Sequence, residues 1–237
     1  MGKTPQERYQ EKPFYGSSHS WARKELAAVT PNIRVLDVGP GSGVMGRYLK
    51  EKGLSDLYAV EIDDDARKHV APIYKEVKEI IDDLNCTNFD LILLLDVLEH
   101  MTDPFAFYHD IFNYLKPGGK VLVSLPNVAH WSVRLPLLFG VFNYSERGIL
   151  DKTHFQFFTR KRFKKLLLSH PEARIVSTSA SIEPVEFLLP NSVWNNPIFL
   201  AISTLRLRLA QLLPGFFAYQ HLAVVERCGS KSKQGGD

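Results

Sequence analysis

Cysteine is almost missing from this 237-residue chain: Cys86 and Cys228 stand far apart and in no paired spacing. That excludes a disulfide framework and gives no zinc-ligand pattern. No apolar run approaches the roughly 18 residues of a membrane span. A large charge excess is missing too, with 29 lysines and arginines against 26 aspartates and glutamates. So near a balance argues against a dedicated nucleic-acid binder. The polar lead from Met1 to Glu11 has no secretory h-region, and a cytoplasmic protein is expected. What is present is enough to build a core: 45% of residues are hydrophobic and 23% charged. The expectation is one elaborated domain over residues 1–228, with a disordered tail at 229–237. Aromatic residues make up 11% and are unevenly placed. Residues 31–104 hold only Tyr48, Tyr58, Tyr74 and Phe89, whereas residues 105–163 are crowded with them.

Residues 1–30 read as a cap segment ending in a helix over Ser20–Val29. From there strands and helices alternate. Strands are predicted at Ile33–Val38, Leu57–Ile62, Val77–Ile81, Phe89–Val97 and Lys120–Leu125, with helices at Val44–Lys52, Asp64–Tyr74 and from Asp103 to Leu115. The unbroken apolar run Leu91–Leu95 reads as a strand buried on both faces, and Asp103-Pro104 as a helix start. Lys116-Pro117-Gly118-Gly119 reads as a turn. This rhythm predicts an α/β, Rossmann-like, doubly wound sheet with its site beyond the strands' carboxyl ends. Residues 127–158 interrupt it as an insertion. A helix capped by Thr159, a strand at Ala173–Ser181, an excursion at 184–216 with a helix over Ile198–Leu213, and a strand at His221–Arg227 complete the chain.

Gly41-Ser42-Gly43-Val44-Met45-Gly46 fits G-x-G-x-x-G, and Glu61 follows Gly41 at the offset of a ribose-binding acid. On the pattern alone, an NAD(P)-dependent oxidoreductase is one reading. Asp37, at the mouth of the same loop, favours a cationic ligand over a pyrophosphate.

Four segments then stand in register: Asp37-x-Gly39-x-Gly41-x-Gly43, Ala59-Val60-Glu61-Ile62-Asp63, Asp96-Val97-Leu98-Glu99-His100 and Leu115-Lys116-Pro117-Gly118-Gly119. Together they resemble the successive motifs of class I S-adenosylmethionine-dependent methyltransferases over about residues 33–126. The resemblance implies a seven-stranded sheet closed by a reversed terminal hairpin, with S-adenosylmethionine as cofactor. It further implies that Gly39, Gly41 and Gly43, with Asp37 behind them, hold the methionine end. Glu61 would accept the ribose hydroxyls, Ile62 pack on adenine, Asp83 (or Asp82) take the adenine amino group, and Asp96 face the methionine portion. A cofactor-binding protein without transferase activity is a further alternative.

Proton removal falls to the insertion. His154 is the first candidate general base, with Asp151 orienting it or binding substrate, and His130 the second. These residues show no metal-ligand spacing, and no metal is assigned. Leu150-Asp151-x-Thr153-His154-x-x-Phe157-Phe158-Thr159 resembles a segment of small-molecule methyltransferases associated with sugar or glycan modification, which implies a sugar or glycan-precursor hydroxyl as acceptor. Arg160–Lys165 reads as the solvated face of a helix, or as a contact for an anionic substrate. The helix at 198–213 reads as core or homodimer packing, or as a peripheral membrane contact. The aromatic surplus in the insertion and cap segment marks the place of the acceptor pocket.

Overall fold

The computed structural model describes residues 11–229, so the predicted disorder of the tail lies outside the described residues, apart from Gly229. Seven strands form one sheet: β1 (Val35–Val38), β2 (Leu57–Val60), β3 (Glu76–Lys78), β4 (Phe89–Leu95), β5 (Leu115–Pro126), β6 (Ala173–Ser181) and β7 (Gln220–Arg227). Their order is β3-β2-β1-β4-β5-β7-β6. The first five run parallel, and β7 lies antiparallel to both β5 and β6. The reversed hairpin expected from the sequence is therefore present.

Period-two alternation explains how both faces are covered. Along β4, Ile92 and Leu94 enter the core on one face with Tyr108, Phe112, Leu166 and Leu167. Leu91 and Leu93 enter the other, with Leu26, Val44 and Leu49. Helix α1 (Ser18–Glu25) precedes β1, and α2 (Val44–Glu51), α3 (Asp64–Val70) and α4 (Pro104–Asp110) follow β1, β2 and β4. The Asp103 carboxylate accepts from the amides of Phe105 and Ala106, which fixes the start of α4 as predicted. Beyond β5 come α5 (Trp131–Leu138), α6 (Arg160–Leu167), the single turn α7 (Asn191–Trp194), α8 (Pro197–Leu212) and the single turn α9 (Pro214–Phe217).

Three local expectations need correction. Lys116–Gly119 is no free turn but belongs to β5, where the register against β4 shifts between Phe89 and Leu91. Lys116 there reaches Asp90 at 2.8 Å. The third strand is Glu76–Lys78, and Ile81–Asp83 is a 3₁₀ turn. The insertion contains a helix, α5, that carries Pro136 inside it.

Candidate functional site

β1 sits between β2 and β4, so the chain's connections depart in opposite directions there, and a crevice opens at the carboxyl ends of β1 and β4. The glycine loop closes one side. Gly39, Gly41 and Gly43 have φ of 64°, 55° and 76°. A Cβ on Gly39 would come within 2.9 Å of Val97, and one on Gly43 within 2.5 Å of Ile73. Glycine is thus required by both backbone angle and space.

Two acids lie behind the loop. Asp37 is 4% exposed and accepts a 2.6 Å hydrogen bond from the Tyr74 hydroxyl. Burial pushes its pKa up to about 7, against the pull of that hydrogen bond and with the Glu61 charge adding to the rise. Glu61, at the end of β2, is 5% exposed and accepts from the amides of Gly41 (3.1 Å) and Asp63 (3.0 Å). Burial raises its pKa too, and the two amides counter the rise. Each of its oxygens keeps a lone pair that could take a hydroxyl.

The other side of the crevice is Asp96, which follows β4 with a φ of 57°. Such a backbone is costly for a residue with a Cβ and is least so for Asp and Asn. The turn aims its carboxylate at three donors: Lys12 Nζ (2.8 Å), Ser124 Oγ (2.5 Å) and Gln220 Nε2 (2.6 Å). Burial works to raise its pKa, but the Lys12 ammonium and these hydrogen bonds hold it well below the usual carboxylate range. Lys12 ties the cap segment over the strand ends, and nothing in the sequence distinguished it from the other polar residues of that segment.

A second group lies just past Asp96. Glu99 is 1% exposed, and neither carboxylate oxygen has a hydrogen-bond partner. Burial and the neighbouring Asp96 charge raise its pKa well above normal. His154 Nε2 stands 4.0 Å from Glu99 Oε1, and the His100 ring meets the His154 ring edge-on with centroids 4.8 Å apart. Glu99, His100 and His154 present ligand-type atoms within 4.8 Å of one another. Of the three candidates for the reaction chemistry, only His154 belongs to this group.

His154 Nδ1 lies 3.1 Å from the Ile149 carbonyl, which can only accept, so Nδ1 carries a proton and the neutral ring keeps its lone pair at Nε2. Burial and the nearby His100 lower its pKa. The expectation that Asp151 orients this imidazole is corrected: its carboxylate accepts from Thr153 N (2.8 Å) and Oγ1 (2.7 Å), which fixes the loop instead. His130 is fully buried and caps α5, its Nδ1 accepting from Ser132 N at 3.3 Å. Burial pushes its pKa down to about 4.

At the outer end of the crevice, Ile62 is 79% exposed and free to cover a flat ligand. Asp82 is bound by the Tyr114 hydroxyl, while Asp83 is exposed. Beside His154, the insertion gathers Phe142, Tyr144 and Phe157, with ring centroids 5.9–6.3 Å apart. Phe157 lies 6.4 Å from the His154 ring.

A family described as a methyltransferase domain matches residues 17–170. The chain belongs to this family. Among curated relatives, a ubiquinone biosynthesis O-methyltransferase of Bradyrhizobium sp. is 30% identical over 63% of this chain and 60% of its own length. One from Idiomarina loihiensis is 28% identical over 48% of this chain and 52% of its own. A tRNA 5-carboxymethoxyuridine methyltransferase of Escherichia coli is 32% identical over 54% and 53%. The chain spans about half the length of the curated relatives it matches. In fold, it is similar to a SAM dependent methyltransferase from Archaeoglobus fulgidus, with a TM-score of 0.57 at 18% identity over 92% of this chain and 97% of that one. It is also similar to magnesium protoporphyrin IX methyltransferase from Synechocystis with bound SAH, with a TM-score of 0.57 at 14% identity over 88% and 79%.

Family membership selects the S-adenosylmethionine reading of the glycine loop over the nicotinamide one. The residues fit that cofactor: a left-handed glycine loop without room for side chains, a strand-end carboxylate with lone pairs to offer, and a buried acid near pKa 7 that a cation would stabilise. Among the described residues, no helix is long and apolar enough to cross a membrane.

Proposed function

We propose that this methyltransferase-family protein transfers the methyl group of S-adenosylmethionine to a hydroxyl of a small-molecule acceptor, with His154 as general base. The observation that carries this reading is the His154 tautomer. Its proton is committed to the Ile149 carbonyl, and its Nε2 lone pair is too far from Glu99 for a hydrogen bond. A neutral imidazole is what a hydroxyl nucleophile needs beside it, because the proton must leave as the oxygen takes the methyl. Bound S-adenosylmethionine supplies a methyl group on a positively charged sulfur, which leaves as a neutral thioether.

The chain's own residues then have distinct tasks. Glu61 accepts the ribose hydroxyls, and Gly39, Gly41 and Gly43 allow the methionine end to approach the backbone. Ile62 covers the adenine face, with Asp83 at its edge. Asp96, already engaged by Lys12, Ser124 and Gln220, fixes the floor of the crevice. Phe142, Tyr144 and Phe157 form an apolar wall for the acceptor, suited to a sugar face or a planar ring. A sugar or glycan-precursor acceptor rests on the Leu150–Thr159 resemblance. Residues 1–228 act as one domain in this reading.

The test is calorimetry with S-adenosylhomocysteine and NAD, followed by a methyl-transfer screen against sugars, nucleotide sugars, phenolic quinone precursors and tRNA. Binding of S-adenosylhomocysteine and turnover on a hydroxylated small molecule are expected. Binding of NAD alone, or turnover only on tRNA, would overturn the proposal.

A further inference from the structure

The insertion that carries His154 also builds a surface no step of methyl transfer uses. Every residue from 134 to 147 is exposed, and besides Phe142 and Tyr144 of the proposed acceptor wall this stretch presents five large apolar side chains, Leu135, Leu137, Leu138, Phe139 and Val141. Leu138 is 77% exposed and Phe139 84%, at the end of α5 where Pro136 and Gly140 turn the chain outward. Water-exposed apolar side chains in such density mark a contact surface.

The surface continues onto a second element. Leu212 and Leu213, at the end of α8, are 75% and 53% exposed. They line a cleft of about 390 Å³ together with Phe216, Arg134 of α5 and Arg160 of α6. Arg134 donates to the Gly215 carbonyl at 3.1 Å and lies over the Phe216 ring, so the two apolar tips are joined through an arginine. Of the sequence expectations for this helix, core packing does not extend to its end, where Leu212 and Leu213 are exposed.

Charge says what covers the patch. Residues 127–165 contain eight lysines and arginines against only Glu146 and Asp151, and residues 191–217 add Arg206 and Arg208 with no acid. The whole chain carries only +3, so its remaining segments are net acidic. At the cleft itself the outward leucines and a phenylalanine stand with two cations, Arg134 and Arg160, and no acid lines it. That is the composition of an interfacial element: apolar tips that enter the acyl boundary and cations that meet phosphate headgroups.

We propose that the protein docks peripherally on an anionic lipid surface through the end of α5 and the end of α8, with Leu138, Phe139, Leu212 and Leu213 inserted and Arg134 and Arg160 at the headgroups. The idea goes beyond the assigned reaction and is independent of the acceptor's identity. It also places the mouth of the aromatic-walled pocket, built from the same insertion, close to the membrane plane.

The experiment is co-sedimentation of the full chain with vesicles of phosphatidylcholine alone and of phosphatidylcholine with phosphatidylglycerol. Binding to the anionic vesicles, weakening as salt is raised, is expected. Replacing Leu138 and Phe139 together by Asp should cut vesicle binding at least tenfold. Arg134→Gln and Arg160→Gln should each cost about fivefold on anionic vesicles. Melting temperature and S-adenosylhomocysteine affinity should stay unchanged in all of these variants, which separates this outcome from failure of the methyltransferase reading. The proposal is overturned by absence of binding to anionic vesicles. It is equally overturned by a dimer in light scattering that the Leu138/Phe139 variant dissolves, or by tRNA binding that survives that variant and displaces the vesicles.

Discussion

The two halves of the crevice are built by opposite means. On the cofactor side, between β1 and Asp96, charged groups are buried and held by short hydrogen bonds from fixed backbone and side-chain donors. On the acceptor side, the insertion places large apolar groups in water and leaves a histidine with an uncommitted lone pair. The first arrangement suits a ligand of constant shape. The second suits one whose body is recognised by area and whose reacting atom is handled by a single base. In the proposed reading, specificity for the donor resides in backbone geometry, and specificity for the acceptor in side chains that a few substitutions could change.

Variants in the two halves should separate accordingly. The largest effect is expected from His154→Ala: turnover falls by about 10²–10⁴, the usual contribution of a general base. Affinity for S-adenosylhomocysteine should stay as in the parent. Unchanged turnover would break the division of labour between the halves. Because burial lowers the His154 pKa, the base stays unprotonated somewhat below pH 6.5. The acid limb of kcat should therefore lie beneath that value and vanish in the variant.

Glu61→Ala tests the other half and should weaken S-adenosylhomocysteine by about 100-fold, as expected for two charge-assisted hydrogen bonds. Titration calorimetry reads this directly, and an unaltered Kd would remove Glu61 from the ribose. Gly43→Ala combines a φ of 76° with a 2.5 Å approach to Ile73. Left-handed strain and overpacking cost about 2–4 kcal/mol. At roughly 2–4 °C per kcal/mol, the melting temperature should fall by several degrees.

A smaller effect of opposite sign is expected from Glu99→Gln. The folded-state pKa of Glu99 is raised above its ordinary 4.5. Below that pH both folded and unfolded states hold the proton, and no penalty exists. As pH rises, the unfolded chain releases it while the folded protein retains it, so stability declines. Removing the acid should raise the melting temperature by a few degrees at pH 8 and by less at pH 5. A loss of stability at pH 8 would show that the buried carboxylate has a partner it needs.

The same comparison governs what could be read from the sequence. Asp37, Gly39, Gly41, Gly43 and Glu61 stand on consecutive strand ends and turns, where local chemistry leaves few alternatives, and the structure gathers them around one loop. The unbroken apolar run of β4 and the Asp103 cap were legible for the same reason. The acceptor side depends on contacts between distant segments. Glu99 meets His154 across 55 positions, and even on the cofactor side the one partner the sequence did not reveal, Lys12, reaches Asp96 across 84. Glu99 was quoted only as part of a strand-end motif, because nothing local reveals that its carboxylate is buried without a partner. His130 drew attention by residue type, whereas its place as a helix cap follows from the two residues after it.

Gly46, in the first turn of α2 after the glycine loop, bears on the acidity of the site. A Cβ at Gly46 would overlap the Tyr74 hydroxyl. That hydroxyl donates the hydrogen bond that restrains the rise in the Asp37 pKa. A larger residue in the helix would displace a phenol and leave a buried acid holding its proton beyond neutrality. The missing side chain at Gly46 thus preserves the hydrogen bond that restrains the pKa of Asp37 behind the donor loop.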